Sequence, residues 1–254
     1  MIVIVRSLSI VFMFTSLFLS IGFPVGLVAY FYKKEKISIK AVLIGALMFF
    51  IFQGLIRVPI INFISYKSWY QSFVSDNMVV AVIILAFTAG LFETVARYLG
   101  LKFMLKKELD RKNGLAYGIG HGGIEAILLV GLSYVANILF SFLINAGENV
   151  DISILSPLIT TPPSLFLAAG LERVFAILFH IAAALLVTYG IMKDKKVFIL
   201  LSLLLHFLLD GVAGILQMLG VSVWIIELWI AFVAFLSLLF IIKSKKIFAA
   251  NNKE

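Results

Sequence analysis

The chain has 254 residues, of which 63% are hydrophobic and only 13% are charged, and its mean hydropathy is +1.13. Soluble globular domains are about 45–50% apolar and about 25% charged, so this composition excludes an ordinary water-soluble domain. The sequence contains no cysteine, which excludes disulfides, thiolate metal sites and cysteine nucleophiles. The basic residues behind the net charge of +8 stand beside long apolar runs. This arrangement indicates membrane topology and no nucleic-acid partner.

Seven apolar stretches are long enough to cross a bilayer, which takes roughly 20 residues. In chain order they are about Ser7–Tyr32, Ile39–Ile64, Met78–Leu101, Leu115–Ile144, Ser164–Met192, Val197–Leu219 and Val221–Ile242. Continuously apolar segments of this length favour helices over the alternating strands of a membrane barrel. We therefore predict an all-α, polytopic membrane helix bundle. It forms a single transmembrane domain over residues 1–254, with the candidate catalytic helices at about residues 78–219.

Lysines and arginines are concentrated in alternate connecting segments, at residues 33–40, 102–112, 193–196 and 243–253. The other connections hold few charges, and the longest of them, at about residues 145–163, is too short for a soluble domain. Because loops rich in lysine and arginine stay in the cytoplasm, the N-terminus is predicted outside and the C-terminus inside.

Ionisable side chains lie inside the predicted spans, where each costs about 2.5–3.5 kcal/mol and is a functional candidate by default. The third span carries Glu93 and Arg97, the fourth His121 and Glu125, the fifth His180, and the sixth His206 and Asp210. Three of these combinations are i, i+4 pairs, so both members share one helix face. All seven residues fall at similar depths, and we predict that they form one shared site.

Other polar residues in the spans have simpler interpretations. Arg57 is predicted to extend its charge to the membrane surface. Glu172, Arg173 and Glu227, near the outer ends of their spans, are expected to form a structural contact. The glycines around His121 are expected to allow close helix packing, as small residues do in membranes.

A carboxylate and several imidazoles that meet inside lipid suit the hydrolysis of a membrane-buried bond. The carboxylate can act as general base towards water, and the histidines can stabilise an oxyanion. In an alternative with zinc, His121, His180 or His206 and a carboxylate would hold the metal. Since no His-Glu-x-x-His motif is present, we favour no cofactor and keep zinc as the alternative.

The order of these motifs resembles a family of intramembrane proteases related to the CAAX prenyl endopeptidases. The motifs are Glu93/Arg97 on one helix, Tyr117/His121 on the next and His206/Asp210 on a later one. The run Gly120–Glu125 and the seven-span length are more specifically similar to the YhfC branch of bacterial intramembrane proteases. The resemblance covers roughly residues 78–214, and it implies an integral protein of the bacterial cytoplasmic membrane.

The resemblance implies that Glu93 and His121 activate water, while His206 and Asp210 stabilise the oxyanion or position the carbonyl. Two departures bear on these roles. The first, catalytic glutamate of the family's Glu-Glu doublet aligns with Phe92 here, and Asp210 stands where Asn is commoner. Either Glu93 or Glu125 would then be the base, or this branch has lost hydrolysis.

The leading hypothesis is thus an endopeptidase, of glutamic type or metal-dependent, that acts on a membrane-embedded or lipid-modified peptide. Two hypotheses from other classes stay open. One is a non-catalytic scaffold for a partner membrane protein, and the other is a proton-coupled transporter that uses the same polar residues as a relay.

Overall fold

The computed structural model describes residues 4–148 and 150–250, without the side chains of residues 152–154, and every regular element among the described residues is a helix. Within this described part of the chain, seven helices are long and apolar enough to cross a membrane. They are α1 (Ser7–Glu35), α2 (Ile39–Ser65), α3 (Met78–Met104), α4 (Arg111–Asn145), α5 (Pro163–Met192), α6 (Lys196–Met218) and α7 (Val223–Ala250). The predicted all-α bundle of seven spans is confirmed.

Three short helices lie between the spans: Ser68–Asp76, the 3₁₀ turn Lys106–Glu108, and Ile152–Thr160. The last of these falls within the segment predicted as the longest loop. It forms because its apolar residues have a surface to cover: Leu158 is buried in a cluster with Met13 of α1 and Ile138 of α4.

Helix α7 is longer than the predicted span, which ended at Ile242. The helix continues past the apolar run because its last turns are fixed by polar contacts to other helices. Ser244 accepts a hydrogen bond from Arg111, and Lys245 forms an ion pair with Glu35 at 2.7 Å. Apolar length alone therefore underestimates this helix, and the predicted tail residue Lys253 lies outside the described residues.

Helix α5 is the central helix of the bundle and the most buried of the seven. It packs against α1, α4, α6 and α7, while α4 packs between α5 and α2, and α3 packs along α6. This arrangement brings α2, α3, α4, α5 and α6 around one interior region. The helices that carry the predicted site residues are thus neighbours.

The packing of α4 depends on glycine. A Cβ atom on Gly120 would lie 1.9 Å from the carbonyl oxygen of Val42 in α2, and one on Gly118 would lie 2.5 Å from the Cα of Ile181 in α5. Both backbones approach so closely that no larger residue fits without moving a helix. The glycines around His121 therefore serve close packing, as predicted, and they hold His121 against both neighbouring helices.

Each of the first four spans contains a π-helical segment: Phe18–Gly22, Phe50–Arg57, Gly100–Met104 and Ile127–Gly131. A π-helical turn holds more residues than an α-helical one, so it changes which side chains face a neighbour. The segment in α2 carries Gln53 and Arg57, both of which contact α3.

Candidate active site

Glu93 of α3 lies at the centre of a buried polar network, and it is only 4% exposed. Its Oε2 accepts hydrogen bonds from Arg97 Nη2 at 2.9 Å and from His121 Nε2 at 3.0 Å. Its Oε1 accepts one from Gln53 Nε2 at 2.7 Å. Three donors from three helices therefore satisfy a carboxylate that would otherwise be very costly inside a membrane.

Arg97 provides the balancing charge and is fully buried. Besides Glu93, its Nη2 donates to His180 Nδ1 at 2.6 Å, and its Nη1 lies 3.4 Å from His206 Nδ1. The guanidinium thus joins α3 to α5 and α6. A buried arginine needs several acceptors, because each unpaired N–H group inside the bundle would cost free energy.

Two branches lead from this centre to further carboxylates. On one side, His180 Nε2 lies 2.5 Å from Glu125 Oε2, and Arg173 Nη1 donates to Glu125 Oε1 at 2.9 Å. On the other side, His206 Nε2 lies 3.3 Å from Asp210 Oδ2. His180 and His206 therefore each have one ring nitrogen towards Arg97 and the other towards a carboxylate. This arrangement fixes the orientation of both rings.

The structure brings all seven predicted site residues into one network. Glu93, Arg97, His121, His180 and His206 contact one another directly, and Glu125 and Asp210 join through the histidines.

One uncharged member of the network was not among the predicted residues. Gln53 of α2 is 6% exposed; besides donating to Glu93, it accepts a hydrogen bond from Arg57 Nη1 at 3.2 Å. The available signal was the i, i+4 spacing of Gln53 and Arg57, which repeats the spacing of the three predicted pairs.

The prediction that Arg57 extends to the membrane surface is wrong. Its Nη2 donates to the carbonyl oxygen of Leu85 at 2.7 Å, and its other contacts are to Thr88 and Gln53. These acceptors on α2 and α3 draw the guanidinium into the bundle.

Arg173 differs from its prediction too. It contacts Glu172 as expected, but its bond to Glu125 makes it part of the central network rather than a separate contact at the helix end.

An open cavity of about 510 Å³ borders the network between α2, α3 and α6. Arg57, Asp210 and Gln217 are among its lining residues. The side chain of Asp210 is 36% exposed, whereas that of Glu93 is 6% exposed. The cavity thus reaches the network at its Asp210 edge.

Three residues of the network have the donor set of a metal site. One ligand atom each of Glu93, His180 and His206 lies within 4.8 Å of the others. Two imidazoles and a carboxylate are a set that catalytic zinc uses, so the donors fit this metal by type. Arg97 hydrogen-bonds to two of them and lies 3.4 Å from the third. A metal ion could use these donors only if the guanidinium moved away, since the two cations compete for the same lone pairs.

Taken together, the fold and site define a polytopic integral membrane protein with a buried Glu–Arg–His centre on adjacent spans. The chain matches the YhfC intramembrane metalloprotease family over residues 17–230, and it belongs to that family. A relative from Bacillus subtilis (strain 168), an uncharacterized membrane protein YhfC, is 33% identical over 253 residues, which cover 94% of this chain and 98% of that protein. No solved structure matches the chain.

The family match confirms the resemblance to the YhfC branch and the assignment to the membrane. It does not support our preference for a site without a cofactor, because the family is described as metalloproteases. The preference rested on the missing His-Glu-x-x-His motif. That motif is one way to place ligands on a single helix, whereas here the donors come from α3, α5 and α6.

Proposed function

We propose that the chain is an intramembrane endopeptidase whose hydrolytic centre is Glu93. The observation that carries the proposal is a buried carboxylate surrounded by Arg97 and three histidines at the meeting point of four spans. Membership of an intramembrane metalloprotease family supports the reaction class. The substrate is a membrane-embedded or lipid-modified peptide, because the site lies among membrane helices.

Glu93 is the general base, and His121 assists it. A base must reach the proton that it removes directly or through one water molecule. Glu93 Oε2 and His121 Nε2, 3.0 Å apart, form a pair that can hold one water molecule once substrate has opened the network. Without a metal ion, Arg97 keeps the carboxylate in place throughout.

His206 and Asp210 receive the carbonyl group of the scissile bond. Asp210 lines the cavity and His206 contacts it, so an entering carbonyl oxygen reaches His206 before any other histidine. Both ring nitrogens of His206 are engaged now, so its Nε2–H turns from Asp210 to the carbonyl oxygen when substrate enters. An N–H group directed at the oxygen that gains negative charge lowers the barrier to attack.

Glu125 positions His180 and does not act as the base. Its two oxygens already face Arg173 and His180, and His180 separates it from Glu93. Glu125→Gln should thus lower the rate of peptide hydrolysis less than Glu93→Gln.

A metal ion has a defined place in this proposal. Glu93, His180 and His206 would hold it, so Glu93 would be a ligand in place of the base, and the ion would supply Lewis-acid polarisation and a more acidic bound water. The residues of the chain would then orient the peptide and exclude bulk water, and Arg97 would have to leave its present acceptors.

A non-catalytic scaffold is the second candidate, and one observation favours it. Both oxygens of Glu93 are fully engaged and the residue is almost completely buried, as in a purely structural network. No comparable observation favours a transporter.

The test compares newly formed protein N-termini in membranes from cells that express the wild type, Glu93→Gln or Glu148→Gln at equal levels. Glu148 is exposed in the connection before α5 and is the matched control. A protease yields N-termini near transmembrane segments with the wild type and the control only. Identical profiles for wild type and Glu93→Gln would instead support the scaffold.

A further inference from the structure

Arg57 of α2 is an arginine within a membrane span that, among the described residues, has no carboxylate in ion-pair contact. Its hydrogen bonds go to neutral oxygens of Gln53, Leu85 and Thr88. Among the described residues, no aspartate or glutamate lies within ion-pair distance of it. Ionisable groups inside a membrane pair with one another or with backbone carbonyls, and they mark substrate pathways. Arg57 has such a carbonyl in Leu85 and no carboxylate in ion-pair contact, so its guanidinium can still receive an anion that enters from outside the chain.

The guanidinium also faces space that a ligand can enter. Arg57 lines the cavity of about 510 Å³ between α2, α3 and α6, a volume typical of small-ligand sites. Asp210 lies on the same cavity and attracts Arg57, but its ion-pair contact is with His206, at 3.3 Å. The cavity thus presents an arginine that has no carboxylate in contact and an aspartate that contacts a histidine.

Arg57 is close to the proposed hydrolytic centre. The side-chain amide of Gln53 links the two, since it accepts from Arg57 and donates to Glu93. The guanidinium and the Glu93 carboxylate are therefore separated by two hydrogen bonds, of 3.2 and 2.7 Å, and one amide group. An extended peptide advances about 3.3–3.6 Å per residue, so a group held at Arg57 lies about two or three residues from a bond at Glu93.

We propose that Arg57 and the cavity bind a carboxylate group of the substrate, two or three residues from the scissile bond. The proposal rests on the proposed peptidase function. The carboxylate belongs either to an aspartate or glutamate side chain or to the end of the substrate chain. An arginine fork binds a carboxylate by paired hydrogen bonds, which gives both affinity and orientation.

The test measures peptide binding to the purified full-length protein in nanodiscs. Three sets of short apolar peptides share one sequence pattern and differ in one internal residue and in the C-terminus. The neutral set has Asn at the internal position and a C-terminal amide. The second set has Asp and the amide, and the third has Asn and a free C-terminal carboxylate. Bound peptides and any cleavage products are quantified by mass spectrometry in the same samples. Wild type should retain at least one carboxylate set about tenfold better than the neutral set.

Variants show whether Arg57 causes the preference for peptides with a carboxylate. Arg57→Gln should abolish the preference, and Arg57→Lys should keep part of it because the charge remains. Lys67→Gln, which removes an exposed charge in the connection after α2, should leave it unchanged. If Arg57→Gln does not fold, Gln217→Glu also tests whether the cavity binds a carboxylate. This variant adds a negative charge to the cavity from an exposed position, so it should lower the preference for peptides with a carboxylate.

The Asp set and the free-terminus set distinguish the two sources of the carboxylate. Equal binding of all sets by wild type, or an unchanged preference in Arg57→Gln, would overturn the proposal. So would co-purification of an anionic phospholipid that is lost in Arg57→Gln without any peptide preference. A carboxylate preference without cleavage would support the Arg57 site and count against the peptidase function. Cleavage without a carboxylate preference would support the peptidase function and overturn the Arg57 site.

Discussion

Arg97 is the residue that decides whether a metal ion can bind at the centre of the site. Its guanidinium already bonds or closely approaches Glu93, His180 and His206, which are the residues with the donor set of zinc. Competition between the two cations follows directly from this geometry.

We therefore predict that Arg97→Ala binds zinc at least about tenfold more tightly than wild type, since the donors no longer hold a guanidinium. Zinc retained against a chelator of known affinity, measured by elemental analysis of the purified proteins, checks this. Arg6→Ala, outside the network, is the control. Equal or tighter binding by wild type would mean that Arg97 does not occupy the metal position.

Gln53 allows a second prediction for a single residue. Gln53→Ala removes the donor to Glu93 Oε1 and the acceptor of Arg57, so it leaves a buried carboxylate and a half-buried guanidinium each short of a partner. We expect the free energy of unfolding to fall by about 1–3 kcal/mol and peptidase activity to fall with it. Denaturation in detergent measures the first effect, with the exposed Gln71→Ala as control. A variant as stable as the control would show that Gln53 is not part of the network.

Residues of this kind mark the limit of what the sequence could predict. The charged residues at positions 93, 97, 121, 125, 180, 206 and 210 were identified because a charge inside an apolar span is conspicuous. Gln53 is uncharged, and a single amide in an apolar helix is unremarkable. The direction of Arg57 depends on acceptors in α3, which no pattern within α2 reveals.

Among the elements, α4 is the helix whose position depends most on small residues. Gly120→Ala would place a Cβ 1.9 Å from the Val42 carbonyl oxygen, so α2 and α4 must separate. Overpacking of this type costs about 1–3 kcal/mol.

We predict that Gly120→Ala unfolds at a clearly lower denaturant concentration than wild type. Gly26→Ala is the matched control, because a Cβ at Gly26 of α1 meets nothing within 4 Å. The same unfolding midpoint for both variants would contradict the close approach of α2 and α4.

Most helix bounds followed from apolar length, because a span must cover the hydrocarbon core. The exceptions have local causes. The end of α7 is extended by contacts to Glu35 and Arg111, and the helix Ile152–Thr160 exists because it packs on α1 and α4. The apolar length of a span does not indicate the π-helical segments within it.

For the whole molecule, orientation is still a prediction from the lysine-rich loops. Because the chain has no cysteine, single cysteines give a clean test. In intact cells, Glu148→Cys should react with a membrane-impermeant thiol reagent, whereas Lys107→Cys should react only after the membrane is opened. Both residues are exposed in connections at opposite ends of the bundle. The reverse labelling pattern would contradict the predicted orientation.

The buried network around Glu93 is proposed to hydrolyse a peptide bond. The most direct measurement uses purified protein in liposomes, a peptide that spans a cleavage site found in the cellular comparison, and water enriched in heavy oxygen. We predict that wild type releases a fragment whose new carboxylate carries one solvent oxygen, and that Glu93→Gln releases it at least about a hundredfold more slowly. Cleavage by Glu93→Gln at the wild-type rate would contradict the account.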